Sequence, residues 1–248
     1  MGFKTPLTMR YLRTAKFAFH KLIGGQEILH CIGDSHVQNF RYLAQEYLLP
    51  RTDLRFCVVQ GATNMGLANP HSQTRAMPIF MEYLNKVAPS DYVAFCLGEV
   101  DCGFVIWYRA DKHGTSVKDQ FELSLKNYFG LIDKYLEKVA THKVIICSTP
   151  LPTIPDHQLV RGEVANKRLS ISATQKQRTD LTLEYNHRLQ DFCKKRGLQY
   201  LDMDYATLDK RSGLVSEDFL NKDPLNHHLE PEKLAPLIVD KLNNFGLN

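Results

Sequence analysis

The chain has 248 residues, 44% of them hydrophobic and 23% charged, proportions that fit a globular protein with room for one large core. Its 31 basic and 27 acidic residues leave a net charge of +4, too slight to argue for a nucleic-acid partner. No apolar run reaches the length of a membrane span.

In chain order, residues 1–22 mix Lys and Arg among apolar positions at helical spacing (Leu7, Tyr11, Leu12, Ala15, Ala18). They lack the uninterrupted apolar stretch and small-residue cleavage site of a signal peptide. Residues 1–25 therefore read as a helical extension of a single domain spanning 1–248. Residues 28–32 form a short apolar run, a buried strand, that stops at Gly33-Asp34-Ser35-His36 and passes into a helical pattern (Val37, Phe40, Leu43, Leu48). Residues 54–61 read as a second strand, followed by a Gly- and Asn-rich loop over 61–70 and a helix over about 72–86. The third strand, 91–98, ends in Gly98-Glu99-Val100-Asp101. Residues 103–116 are poorly periodic and read as an insert. A long amphipathic helix covers 117–140. The fourth strand is 143–147. Residues 151–175, with Pro152 and Pro155, read as an excursion over the edge of the sheet. A helix over 179–196 ends at Gly197, a fifth strand covers 198–203, and the last helix begins at Pro231. Five short apolar strands alternating with helices predict a doubly wound, parallel α/β sheet. The six cysteines (Cys31, Cys57, Cys96, Cys102, Cys147, Cys193) show no CxxC or zinc-type spacing, and four lie in strand-like runs. Free thiols in a reducing, cytoplasmic setting are the expectation.

In such a sheet the loops after the strands converge at the carboxyl edge. Four of them carry chemistry here: 33–36, 61–64, 98–101, and the late loop with His227 and His228. A serine needs a base to act as nucleophile, an acid fixes the imidazole tautomer, and backbone N–H groups at a strand end can hold an oxyanion. Each role has an applicant among these loops. Simpler duties stand beside them. Asp34 can support the turn, Glu99 and Asp101 can cap loops, and His36 can line the site or sit at the surface. Trp107 and Tyr108 can stack on a sugar or pack within a lid.

Gly33-Asp34-Ser35, Gly61, Gly98-x-x-Asp101 and His228-Leu229-Glu230-Pro231, in this order over about 200 residues, resemble the SGNH (GDSL-type) hydrolases. The resemblance implies a flavodoxin-like three-layer α/β/α sandwich with a five-stranded parallel sheet, and ester hydrolysis through a serine with no cofactor and no metal. Carried over, Ser35 is the nucleophile and first oxyanion donor, Gly61 the second donor and His228 the base, with Asp223 orienting it. Two positions depart from the family pattern. The Asn of the family's Gly-x-Asn-Asp block is Val100 here, which cannot donate; Asn64, Asn69 or a water are the substitute donors considered, with Asn64 carried forward. The family acid lies three residues before the histidine, where this chain has Leu225; Asp223 lies five before His228 and four before His227. His227 is the alternative base, although the His-Leu-x-Pro context favours His228. The Gly-Asp-Ser-His and Gly-Glu-Val-Asp-Cys variants resemble a divergent bacterial branch met beside surface-polysaccharide genes. That implies O-acyl, chiefly O-acetyl, groups on carbohydrate as substrates, so the expected partner is a small-molecule or glycan ester.

Other functions fit the same residues. A non-catalytic descendant would keep the groove for binding glycan, and an acyltransferase would pass the acyl group to a sugar hydroxyl. A metallophosphoesterase reading of Gly-Asp-x-His with His227 and His228 lacks the further Asp, Asn and His ligands such sites need.

Overall fold

A computed structural model of the chain describes residues 7–156 and 167–248. The apolar run after Gln26 is strand β1 (Glu27–Gly33), joined on one side by β2 (Thr52–Val58) and on the other by β3 (Tyr92–Cys96). Strands β4 (Val144–Cys147) and β5 (Gln199–Leu201) complete a parallel sheet of order β2-β1-β3-β4-β5. This is the expected five-stranded doubly wound sheet. Its chain reverses direction of travel between β1 and β3, where open α/β sheets keep their ligand crevice.

Side chains of a strand alternate between faces, and the core divides accordingly. Leu29 and Cys31 of β1, with Ala94, Cys96, Ile145 and Leu201, pack under helix α2 (Gln38–Gln45) and the C-terminal helix. Ile32, Val93, Phe95, Val144 and Ile146 face the opposite way, under α4 (Ala76–Leu84) and the long helices. Between β2 and α4 lies a single turn, α3 (Asn64–Leu67), and before β1 the N-terminal helix α1 (Leu7–Leu22). Helix α1 is largely exposed. Its Arg10 donates to the Gln45 carbonyl at 3.3 Å and Phe17 stacks edge-on against Tyr47, so it docks at the end of α2. No helix among the described residues is long and apolar enough to cross a membrane. All six cysteines are free and buried.

Several boundaries differ from the expectation. The aperiodic insert is helical: a π-turn over Asp101–Val105 runs into α5 (Ile106–His113), followed by α6 (Val117–Leu136). Periodicity fails to announce it because Asp101, Cys102, Gly103 and Phe104 are buried one after another, which removes the polar–apolar contrast just before α5 begins. The Cys102 carbonyl in this turn accepts the Trp107 indole N–H at 2.8 Å, while Tyr108 stacks on Phe104. Helix α7 (Gln175–Arg196) starts four residues earlier than predicted, because Thr174 and Gln177 form a reciprocal capping box, and it ends at Gly197 in the left-handed region. The excursion 151–175 is described except for 157–166; its residues Lys167–Ser170 form a 3-10 turn. After β5 come a helical turn, α8 (Asp204–Thr207), a two-stranded ribbon of β6 (Leu208–Asp209) and β7 (Leu214–Val215), and α9 (Pro231–Asn244). The ribbon is too short to show a strand pattern in sequence.

Candidate active site

The end of β1 builds the first wall. Gly33 lies so close to β3 that a Cβ there would sit 1.9 Å from the Cys96 carbonyl oxygen. Only glycine permits that approach. The next amide, Asp34 N–H, donates to that same carbonyl at 3.2 Å. Asp34 Oδ1 then accepts the His36 backbone N–H at 2.9 Å and the His36 Nδ1–H at 3.0 Å, which caps a 3-10 turn over Ser35–Val37. Asp34 is buried and serves the turn and the His36 ring together. Ser35, partly buried, occupies the first position of this turn at the carboxyl edge.

Onto Ser35 comes a residue 193 positions away. His228 Nε2 lies 2.9 Å from Ser35 Oγ. The other ring nitrogen, Nδ1, lies 2.8 Å from Asn226 Oδ1, and that same oxygen accepts the His228 backbone N–H at 3.1 Å. A backbone N–H can only donate, so the atom facing it is the amide oxygen and not the amide nitrogen. Nδ1 must therefore carry the proton, and Nε2 keeps the lone pair that accepts the Ser35 hydroxyl. The backbone fixes the tautomer. The sequence expectation put Asp223 behind the ring; the acceptor at Nδ1 is Asn226, while Asp223 takes the Leu225 N–H on Oδ1 and the Asn226 N–H on its carbonyl. His227 is not the residue on Ser35; its backbone carbonyl accepts the Thr153 hydroxyl.

Gly61, just past β2, is in the left-handed region with φ 68°. Among the described residues, neither the Gly61 N–H nor the Ser35 N–H has a hydrogen-bond acceptor. Asn64 does not offer its amide to the same space. It is fully buried, and its Nδ2 donates to the Tyr185 hydroxyl at 2.9 Å. Asp101 is likewise a framework residue: its carboxylate takes the Asn64 N–H at 2.7 Å, the Met65 N–H at 3.1 Å and the Ser124 hydroxyl at 3.2 Å. Those bonds tie the loop after β2 to the loop after β3. Burial pushes its carboxyl up to about 7 against these three bonds. Val100 is buried, so no side-chain donor stands where the family pattern has Asn.

Beside His36 sits an ion pair of which the sequence reading saw only the acid, Glu99. Arg168 Nη2 donates to both Glu99 oxygens, at 2.7 and 2.6 Å, and both side chains are buried. Gly103 leaves room for the pair; a Cβ there would lie 2.9 Å from Glu99 Oε1. Burial works against ionising Glu99, but Arg168 and His36 prevail and hold its carboxyl down at about 2. Glu99 Oε2 is 3.9 Å from His36 Nε2. Burial disfavours the His36 cation, yet Asp34 and Glu99 raise its pKa above the ordinary value. His227 and His228 go the other way, to about 4 and about 2, because burial and the neighbouring imidazoles penalise a charge on them. The rings of His228 and His36 are 4.6 Å apart and those of His227 and His228 4.1 Å. One nitrogen from each of the three lies within 4.8 Å of the others, a group of metal-ligating side chains in mutual reach.

The residues that sequence reasoning missed are Asn226, Arg168, Tyr185 and Ser124. Asn226 had a local signal, since Asn two residues before its partner is the spacing of a side-chain-to-backbone turn. Arg168 reaches Glu99 across 69 positions from an irregular segment and had none.

Comparison with known proteins gives a fold and no closer kinship. No family model and no curated protein matches the chain. Among solved structures it is similar to a GDSL-like lipase of Bacteroides thetaiotaomicron, with a TM-score of 0.53 at 9% identity over 94% of this chain and 95% of that one. A G-D-S-L family protein of Desulfitobacterium hafniense gives 0.51 at 13% over 89% and 99%. Phospholipase A1 of Streptomyces albidoflavus gives 0.50 at 11% over 88% and 99%. The chain has the SGNH-hydrolase fold.

Proposed function

We propose that this chain is a serine ester hydrolase in which Ser35 attacks an acyl carbonyl. The observation that carries the reading is the 2.9 Å contact between Ser35 Oγ and a His228 whose tautomer is already the accepting one. Neutral His228 takes the hydroxyl proton through Nε2 as Ser35 Oγ bonds to the carbonyl carbon. The oxyanion forms against the free N–H groups of Ser35 and Gly61. Asn226 Oδ1 holds the Nδ1–H throughout and strengthens that bond when the ring becomes a cation. Collapse expels the alcohol, which leaves with the proton from His228, and a water activated by the same nitrogen releases the acid. The third member of the relay is thus a neutral Asn and not the Asp that the resemblance implies. The Glu99–Arg168 pair and Asp34 act one step back, positioning His36 beside the base.

Acylated carbohydrate as substrate is part of this proposal, supported by the resemblance of the Gly-Asp-Ser-His and Gly-Glu-Val-Asp-Cys blocks. The test is hydrolysis of p-nitrophenyl acetate by the wild type, Ser35→Ala, His227→Ala and His228→Ala, with acetylated monosaccharides and long-chain esters compared as substrates. Loss with Ser35 and His228 alone, and a preference for acetylated sugar, is expected. Activity that survives Ser35→Ala sinks the serine mechanism, and a preference for long-chain esters sinks the carbohydrate assignment.

A further inference from the structure

We propose that His36, His227 and His228 form a site for one divalent transition-metal ion of zinc type, and that filling it silences Ser35. The site stands on geometry by itself; the silencing rests on the esterase reading above.

Three imidazoles, one buried and two partly buried, offer ring nitrogens within 4.8 Å of one another, and nitrogen donors suit zinc, copper and nickel. Catalytic zinc sites commonly use three protein ligands and leave a fourth position open, so three imidazoles suffice to hold the ion. The second ring nitrogen of two of the three is already committed. Asp34 Oδ1 holds His36 Nδ1–H and Asn226 Oδ1 holds His228 Nδ1–H, which leaves both Nε2 lone pairs to be donated. A carboxylate behind a ligating histidine is the arrangement that orients such ligands and raises their basicity. Glu99, 3.9 Å from His36 Nε2, is already paired with Arg168, so the carboxylate that supports the ion is Asp34 behind His36. Two nitrogens on one zinc at about 2.0–2.1 Å stand roughly 3.4 Å apart at the tetrahedral angle, so the rings must draw together by an ångström or so. His227, partly exposed on an irregular loop, is the ring free to do it.

The consequence for Ser35 follows from the count of lone pairs. His228 Nε2 has one, and it now accepts the serine hydroxyl. An ion that takes it removes the base. Metal binding and serine activation thus exclude one another at a single atom.

The experiment starts from chelator-stripped full-length protein. Cobalt(II) is titrated and followed by its visible ligand-field absorption, and zinc by calorimetry, for wild type, His227→Ala and Ser35→Ala. One ion per chain is expected in wild type and in Ser35→Ala, the latter binding at least as tightly because no hydroxyl competes. His227→Ala should bind about 100-fold more weakly or worse, the upper end of what losing even an outer-shell partner costs. In parallel, zinc should abolish p-nitrophenyl acetate hydrolysis over the concentration range of binding, with recovery on adding chelator. His227→Ala should keep its activity and resist zinc. Absence of one-to-one binding, or binding undiminished in His227→Ala, overturns the site. Stoichiometric binding with hydrolysis intact, or hydrolysis that requires zinc, overturns the silencing. A protein that hydrolyses nothing refutes the esterase reading alone, because the cobalt titration still decides the site.

Discussion

Asn226→Ala probes the least expected part of the relay. One oxygen, Oδ1, makes two bonds, 2.8 Å to Nδ1 and 3.1 Å to the His228 backbone N–H, and the substitution removes both. A neutral hydrogen bond is worth about 1 kcal/mol net and one to a charged partner about 1.5–3 kcal/mol. In the proposed mechanism the ring is neutral at rest and a cation once Ser35 has given up its proton, so the bond matters most in the transition state. Losing about 1.5–3 kcal/mol there lowers kcat roughly 10- to 150-fold. KM should hardly move, since Nδ1 faces away from the serine. Asn226→Asp has the opposite sign. A carboxylate beside the ring raises an imidazole pKa by about one to three units, so the acid limb of the kcat/KM profile should climb toward neutrality by that amount. The assay is the pH–rate profile of p-nitrophenyl acetate hydrolysis for wild type and both variants, with thermal melts as the folding control. A folded Asn226→Ala enzyme with wild-type kcat, or an Asp223→Ala enzyme that loses more than Asn226→Ala, refutes the argument.

Burial keeps the His228 pKa down at about 2, so the base stays neutral as pH falls and kcat/KM should hold through pH 5; a limb near the ordinary 6.5 contradicts this. The same depression has a cost in stability. Unfolded His227 and His228 bind protons below about 6.5 and the folded rings do not, so stability should fall as pH drops through that value, with the raised pKa of His36 working in the opposite direction. Denaturant midpoints at pH 7 and pH 5 read the difference, and His227→Ala should flatten it. Arg168→Met leaves the buried Glu99 carboxylate unpaired and should destabilise by about 3–5 kcal/mol, with Glu99→Gln in the same chain restoring much of the loss; an unchanged melting temperature in Arg168→Met would contradict that. Gly33→Ala drives a Cβ to within 1.9 Å of the Cys96 carbonyl, so a folded, active Gly33→Ala enzyme is not expected, and soluble expression with wild-type melting would overturn the reading of that contact.

The sheet was legible because its strands are buried on both faces and read as unbroken apolar runs between turn residues, as Ile28 to Ile32 does before Gly33. Ser35 and Gly61 stood out because each follows a strand end that the pattern marks, whereas His228 was singled out from His227 only by the resemblance of its His-Leu-x-Pro context. Glu99 and Asp101 were visible as polar residues but not as what they are, because their roles come from partners far along the chain, Arg168 in one case and the Asn64 and Met65 amides in the other. Asn64 was a plausible donor by position and is not one, since its side chain points to Tyr185 on the long helix α7. Asn226 was not legible as the acceptor at the ring because spacing in a family motif assumes one loop geometry. Here Asn226 folds its own side chain back onto the His228 amide and reaches the ring first. The helix over Ile106–His113 was hidden because it runs straight out of the turn Asp101–Val105, whose residues are nearly all buried and carry no polar–apolar alternation.

The central claim is that Ser35 is a nucleophile activated by His228, and covalent capture tests it without assuming any substrate. Intact-mass analysis after exposure to a fluorophosphonate should show one adduct per wild-type chain, mapped by peptide sequencing to Ser35, with slow labelling in His228→Ala and none in Ser35→Ala. An unlabelled wild-type Ser35, or labelling as fast in His228→Ala as in the wild type, would contradict it.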